Sequence, residues 1–300
     1  MRKLIIYICS IIFLVSCGQS YEEKQAISRA EKARLKRQDS LALKVAVLPT
    51  LDCMPVYLAK VHNLFDTTKV DVHLRLWNAQ MDADAALMAG SIEGAVTDFM
   101  RVDKMKSRGV ELDILGSTNA YWQLIANHTA RIKHVSQLGD KMVAMTRYSA
   151  TDYLTDKVLE GVKTSASVFR IQINDVTVRL HMLLNNEMDA MWLTEPQATT
   201  ARLYKNPVLK DSRELKEKSL GVVAFRSQAL ADRRRQQQIV YFVKGYNAAC
   251  DSINKYGLKH YADLVKTYCK TDEKTLKALP ELKYIHISDA VVGSYKKVGR

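Results

Sequence analysis

The stretch from Asn185 to Pro196, Asn-Asn-Glu-Met-Asp-Ala-Met-Trp-Leu-Thr-Glu-Pro, constrains the fold more than any other. Val178, Leu180, Met182, Leu183 and Leu184 before it suit a buried helix, and Asn185-Asn186 supply the turn chemistry that stops one. Ala190 to Leu193 form a short apolar run closed by Thr194-Glu195-Pro196, where proline has no amide for a central ladder and disfavours helical geometry at Glu195. Helix, tight turn and buried strand are expected in succession, with Glu195 where the strand opens into a loop beside Trp192. In open α/β sheets, ligands bind just beyond the carboxyl ends of strands. The same grammar runs from Ala86 to Asp98: an apolar helix, a stop at Gly90, an acidic turn at Glu93, and a short strand delivering Thr97 and Asp98. The copies stand about a hundred residues apart, so they are paired architectural units and not a solenoid repeat.

Around these units the chain alternates strand and helix. Leu43 to Pro49 reads as a strand, Thr50 to Met54 as a polar loop carrying Asp52, and Pro55 as a helix start followed by Val56, Leu58, Ala59 and Val61. Lys69 to Trp77 alternates as a second strand ending at Asn78, Asp82 to Met88 follows as a helix, and Ala95 to Asp98 is the third strand. That succession predicts a parallel sheet, hence an α/β protein. Gly221 to Phe225 reads as a later strand, and Ala229 to Lys255 as one long helix with Ile239, Phe242, Val243, Tyr246 and Ala249 on its core face.

At the amino end, Met1-Arg2-Lys3 followed by Leu4 to Val15 is a basic and then apolar segment too short for a comfortable membrane span, and reads as an export signal. It closes with Leu14-Val15-Ser16-Cys17-Gly18, which resembles a bacterial lipobox; the resemblance implies cleavage before Cys17 and diacylation of its thiol, a surface anchor without a spanning helix. Tyr21 to Leu41, charged and without a wide apolar face, reads as a helical tether, with a short seam on Ala26, Ala30, Ala33 and Leu41 as the alternative. Cys53, Cys250 and Cys269 remain in the body, too few for a disulfide framework; buried free thiols are expected, with a Cys250 to Cys269 bridge as the alternative. The net charge of +13 is compatible with anionic surfaces or solutes. Nucleic acid is not expected as a partner, because an exported chain with no zinc spacing and no RNA-binding signature offers nothing to read bases.

The candidate site collects residues at strand ends. Asp52 follows the first strand, Asn78 the second and Asp98 the third; Asn119, Tyr121 and Trp122 follow Ile114-Leu115; Arg147, Tyr148 and Ser149 follow Val143-Ala144-Met145; Trp192 and Glu195 complete it. Ser149 to Asp152 opens a helix whose free amides and positive dipole end are expected to face the cleft, suiting an anion or a carbonyl, with Arg147 as a cationic fork. The acids Asp52, Asp98 and Glu195 instead suit amino or ring N–H donors, and Trp122, Tyr148 and Trp192 offer stacking faces, which favours a small planar nitrogen heterocycle. No catalytic residue, metal site or cofactor is expected: the seven histidines are scattered, and no HExxH pair, G-x-S-x-G elbow or G-x-x-x-x-G-K loop occurs.

Leu48-Pro49 with Asp52 and Pro55, Tyr57-Leu58-Ala59, Leu64-Phe65, Ala85-Ala86-Leu87 with Gly90, and Thr97-Asp98 resemble the amino-terminal half of the periplasmic solute-binding proteins of the nitrate/sulfonate/taurine and NMT1/THI5-like (thiamine pyrimidine precursor) type. Ser136 to Ala144, and Glu187 through Ala190 to Glu195-Pro196, resemble elements of that family's second half, whereas the chain departs from the family pattern after Ala290. The resemblance implies a periplasmic-binding-protein type II fold: two α/β lobes, two crossovers and an interlobe cleft. The lobes are expected at 43–125 plus 222–300 and at 126–221, after a signal at 1–16 and a lipidated tether at 17–42. It also implies a monomeric, non-enzymatic receptor on the periplasmic side of the envelope. Such a receptor passes a small solute to an ABC permease and ATPase, and a ligand sensor or an enzyme on the same fold is the alternative.

Overall fold

A computed structural model describes residues 21–215 and 220–288. The signal segment, Cys17 and the divergent tail beyond Ala290 lie outside the described residues. Tyr21–Leu41 is a helix, as its charged composition suggests, with Leu35 and Leu41 exposed on it, and it belongs to a unit separate from the body that begins at Leu43. Among the described residues no helix is long and apolar enough to cross a membrane.

Ten strands build the body: β1 (Leu43–Val47), β2 (Val72–Leu76), β3 (Gly94–Asp98), β4 (Leu112–Ser117), β5 (Gln123–Ala126), β6 (Met142–Met145), β7 (Phe169–Gln172), β8 (Ala190–Leu193), β9 (Val208–Asp211) and β10 (Gly221–Arg226). They form two five-stranded sheets of matching design, ordered β2-β1-β3-β10-β4 and β7-β6-β8-β5-β9. In each, three parallel strands meet one antiparallel strand that the chain delivers on arriving from the other lobe, β10 in the first sheet and β5 in the second.

Both sheets are covered on both faces, which is why the middles of their central strands are apolar, with polar residues such as Lys44, Thr97, Asp98 and Gln123 near the strand ends. Successive residues point to opposite faces, so Leu43, Val45 and Val47 enter one core while Ala46 enters another, and in the second sheet Leu124 and Trp192 enter one core while Ile125 and Met191 enter the other.

The paired units seen in the sequence have one physical role in common. The Glu93 carboxylate accepts the Lys44 amide at the start of β1 (2.8 Å), and the Asp189 carboxylate accepts the Met142 amide at the start of β6 (2.9 Å). Each acid precedes a strand whose first residue pairs with the parallel neighbour, Gly94 with Val45 and Ala190 with Val143. The turn acids therefore fix strand register and do not face ligand.

Two expectations are corrected. The boundary at 125/126 splits β5, whose pairing with β8 and β9 puts all of it in the second sheet, so the first crossover lies between Ser117 and Gln123. The long helix is broken: Asp232, extended and capping with its carboxylate on the Arg235 amide, separates Ser227–Ala231 from Arg233–Tyr256. Cys53, Cys250 and Cys269 are buried free thiols.

The crossovers touch where the Thr118 amide donates to the Gly221 carbonyl oxygen (2.8 Å). A Cβ added at Gly221 would meet the Ala120 Cβ at 2.6 Å and lie closer still to the Thr118 hydroxyl. Gly221→Ala is therefore expected to destabilise the body by about 1–3 kcal/mol through overpacking, read as a lowered midpoint in urea.

Candidate functional site

The carboxyl ends of β1 and β3 in one lobe face the end of β8 and the starts of two helices, Ala150–Leu159 and Val176–Leu184, in the other. Direct bonds close the gap. The Leu51 amide donates to the Glu195 carbonyl oxygen (2.9 Å), Gln197 Nε2 to the Pro49 carbonyl oxygen (2.8 Å), and the Val176 amide to the Asn78 carbonyl oxygen (3.2 Å). Between these ties lies a cavity of about 20 Å3, room for about one water molecule. Thr50, Asp52, Gln80 and Thr97 line it from the first lobe, Val176, Arg179 and Thr194 from the second, and Ala120 and Trp122 from the crossover. The lobes are in a closed arrangement, so a solute larger than water enters only if they part.

Asp52 borders this cavity, where burial pushes its carboxyl above the usual range against the pull of the Thr50 and Thr118 hydroxyls. Asp98 bridges the lobes. It is fully buried, and its Oδ1 accepts the Arg101 amide of its own helix and the Ala150 amide of the opposite one, both at 3.0 Å, while Gln80 Nε2 donates to Oδ2 at 3.3 Å. Burial raises its pKa to about 7, offset in part by Arg101 and the amide bonds.

That bridge corrects the expectation of free amides at the start of the Ala150–Leu159 helix. The Ala150 amide goes to Asp98, the Thr151 amide to the Ser149 hydroxyl, and the Asp152 and Tyr153 amides to the Ser149 carbonyl oxygen. Ser149 is thus a buried helix cap, its hydroxyl donating to the Thr146 carbonyl oxygen. The chain's own carboxylate sits where an anion was expected.

The other candidates separate. Trp122 faces the cavity, but Trp192 is 0% exposed, packed in the second lobe's core with Nε1 donating to the Thr155 hydroxyl (2.9 Å). Glu195 is 2% exposed; Tyr121 and Arg202 donate to Oε1 (2.7 and 2.8 Å), and the Thr199 amide and hydroxyl to Oε2 (3.0 and 2.6 Å). Its carboxylate is saturated within the chain, and only its backbone reaches the cleft. Asn78 stands beside the closure, with Lys270 on its Oδ1 (2.9 Å). Asn119 lies in the crossover near the Tyr284 hydroxyl. Arg147 and Tyr148 are exposed, Tyr148 under the Lys104 ammonium of the opposite lobe (4.3 Å to the ring centroid). Neither lines the cavity.

Arg179, Thr50, Gln80 and Thr194 were not in the expected set. Thr194 occupies in the second unit the place of Asp98 in the first, four residues after the strand start, a signal the repeat already held. Arg179, in the helix Val176–Leu184, was hidden in an amphipathic pattern that gives no hint of burial.

The NMT1/THI5 like family model matches residues 50–278. No curated protein matches the chain in sequence. Among solved structures it is similar to the alkanesulfonate-binding protein SsuA from Xanthomonas axonopodis pv. citri bound to MOPS (TM-score 0.68, 17% identity, 86% of this chain and 90% of that one). It is similar also to the periplasmic aliphatic sulphonate binding protein SsuA from Escherichia coli (0.64, 16%, 86% and 90%) and the periplasmic nitrate-binding protein NrtA from Synechocystis PCC 6803 (0.66, 13%, 78% and 68%). The chain belongs to the NMT1/THI5-like family and has the two-lobed fold of the periplasmic solute-binding proteins.

Proposed function

We propose that this chain is the solute receptor of an ABC importer, held to the periplasmic face of a membrane by lipid on Cys17 and handing a small organic solute to a permease. The observation that carries the reading is the cavity between two lobes, lined from both and closed by bonds that run from one to the other. Only a closed form touches a solute on two sides, so the solute stabilises closure. The lipobox resemblance supports the anchor, and structural relatives named for sulfonate and nitrate support transport over catalysis.

A planar nitrogen heterocycle such as a thiamine-precursor pyrimidine is the favoured cargo, with a sulfonate next. Asp52 and Trp122 supply a carboxyl for N–H donors and an aromatic face, while Trp192 and Glu195 drop out of the binding set. Solute released from the purified protein and identified by mass spectrometry tests this directly. Added back at a hundred times its Kd, it is expected to contribute about 2.7 kcal/mol of stability, a rise in Tm of several degrees, and to shrink the scattering radius relative to solute-free molecules whose lobes have parted. Binding without compaction would contradict closure.

A further inference from the structure

Arg179 is a buried cation with no carboxylate partner. Its side chain is 3% exposed and borders the cavity; Nη1 donates to the Trp192 carbonyl oxygen (3.0 Å), Nε has no hydrogen-bond partner, and no ion pair forms among the described residues. The nearby carboxylate, Asp175, is taken up as a helix cap: its Oδ1 accepts the Thr177 and Val178 amides and the Thr177 hydroxyl. Burial, aggravated by Arg101 and only partly relieved by Asp175, pushes the guanidinium down to about 10. A buried guanidinium without a carboxylate is strongly destabilising, a cost that a purely structural position would shed by an apolar replacement. Such groups persist where a ligand completes the pairing. Asp52 faces the same cavity from the other lobe, a half-buried carboxyl raised by desolvation and met by the Thr50 and Thr118 hydroxyls and its own backbone amide, with no cation on it among the described residues.

We infer that the cleft takes a two-ended solute, its acceptor or anionic end on Arg179 and its donor or cationic end on Asp52. This rests on the receptor reading and narrows it: a simple alkanesulfonate satisfies one end, a simple amine the other. Zwitterionic ω-amino acids and amino-substituted nitrogen heterocycles both present donor and acceptor, and the probes separate these sources.

Calorimetry on the full chain, with β-alanine, 4-aminopyrimidine, ethanesulfonate and ethylamine as probes, is the test. At least one of the first two is expected to bind about 100-fold more tightly than both one-ended probes, and Arg179→Gln and Asp52→Asn each to lose about 100-fold of that affinity. One-ended probes binding equally well, all four failing, or an unchanged affinity in Arg179→Gln would overturn the assignment. A second measurement needs no ligand: Arg179→Met is expected to keep or raise Tm, and a fall of more than about 5 °C would mark the arginine as structural and overturn the proposal. A co-purifying solute with one kind of polar group would overturn the two-ended class yet leave the receptor reading standing, whereas a protein that neither carries solute nor compacts would remove the receptor reading itself.

Discussion

Glu195→Ala is expected to cost about 3–5 kcal/mol of folding stability, roughly 10 °C in Tm, since it leaves the buried donors of Tyr121 and Thr199 without their acceptor and takes the carboxylate from the half-buried Arg202. Its two oxygens accept four bonds, from Tyr121, Arg202 and both donors of Thr199. Arg213 lies over the Tyr121 ring at 3.9 Å, so the loss spreads to the strand end at Asp211, which that arginine also pairs. Glu195→Gln keeps the size and an acceptor oxygen and is expected to lose less than half as much. Thermal melts of the two variants decide the matter. A Glu195→Ala protein as stable as the parent that had lost only solute affinity would return the residue to the binding site.

The second large effect belongs to Asp98 and depends on pH. Its carboxyl holds its proton more tightly folded, near pH 7, than unfolded, near the ordinary aspartate value of about 4. The stability this contributes is complete below the unfolded value and is lost as pH rises through 7, with linkage capping it at about 4 kcal/mol. Asp52 and Asp84, also raised by burial, act in the same sense, while the lowered Asp175 and Asp211 lose their contributions only in acid, below about pH 4. Tm is therefore expected to decline between about pH 5 and pH 8. Asp98→Asn, which mimics the protonated acid, is expected to flatten that decline. Asp98→Ala also removes the acceptor for Ala150 and is expected to move the open-to-closed balance by about tenfold toward open, seen as a larger scattering radius. A parent profile that is flat over this range, or an unchanged slope in Asp98→Asn, would show that the buried carboxyl does not set the dependence.

The architecture was legible where local chemistry decides it. Ala190–Leu193 is the strand the sequence marks, bounded by Asn185-Asn186 and Pro196, because an apolar run between a turn and a proline has few other fates. Residues 123–126, 169–172 and 208–211 were not read as strands, because they are four residues each and become strands only through partners such as Leu193 or Lys141 far along the chain. The site was half legible for the same reason. Strand-end positions for Asp52 and Asp98 follow from the alternation, but the target of Asp98 is an amide 52 residues away on the other lobe. Whether Trp192 shows its ring to a solute or to a core depends on which face of β8 it occupies, and with both faces buried the alternation does not say.

Strand β10 sits inside the first sheet, between β3 and β4, though it is made after the entire second lobe. On the ribosome the nascent first lobe therefore has a missing rung: β3 and β4 expose ladder groups that only residues 221–226 can satisfy. The second sheet has all five of its strands once residue 211 has emerged, so the lobe encoded in the middle can settle before the one that begins the body. The half that starts first is finished last.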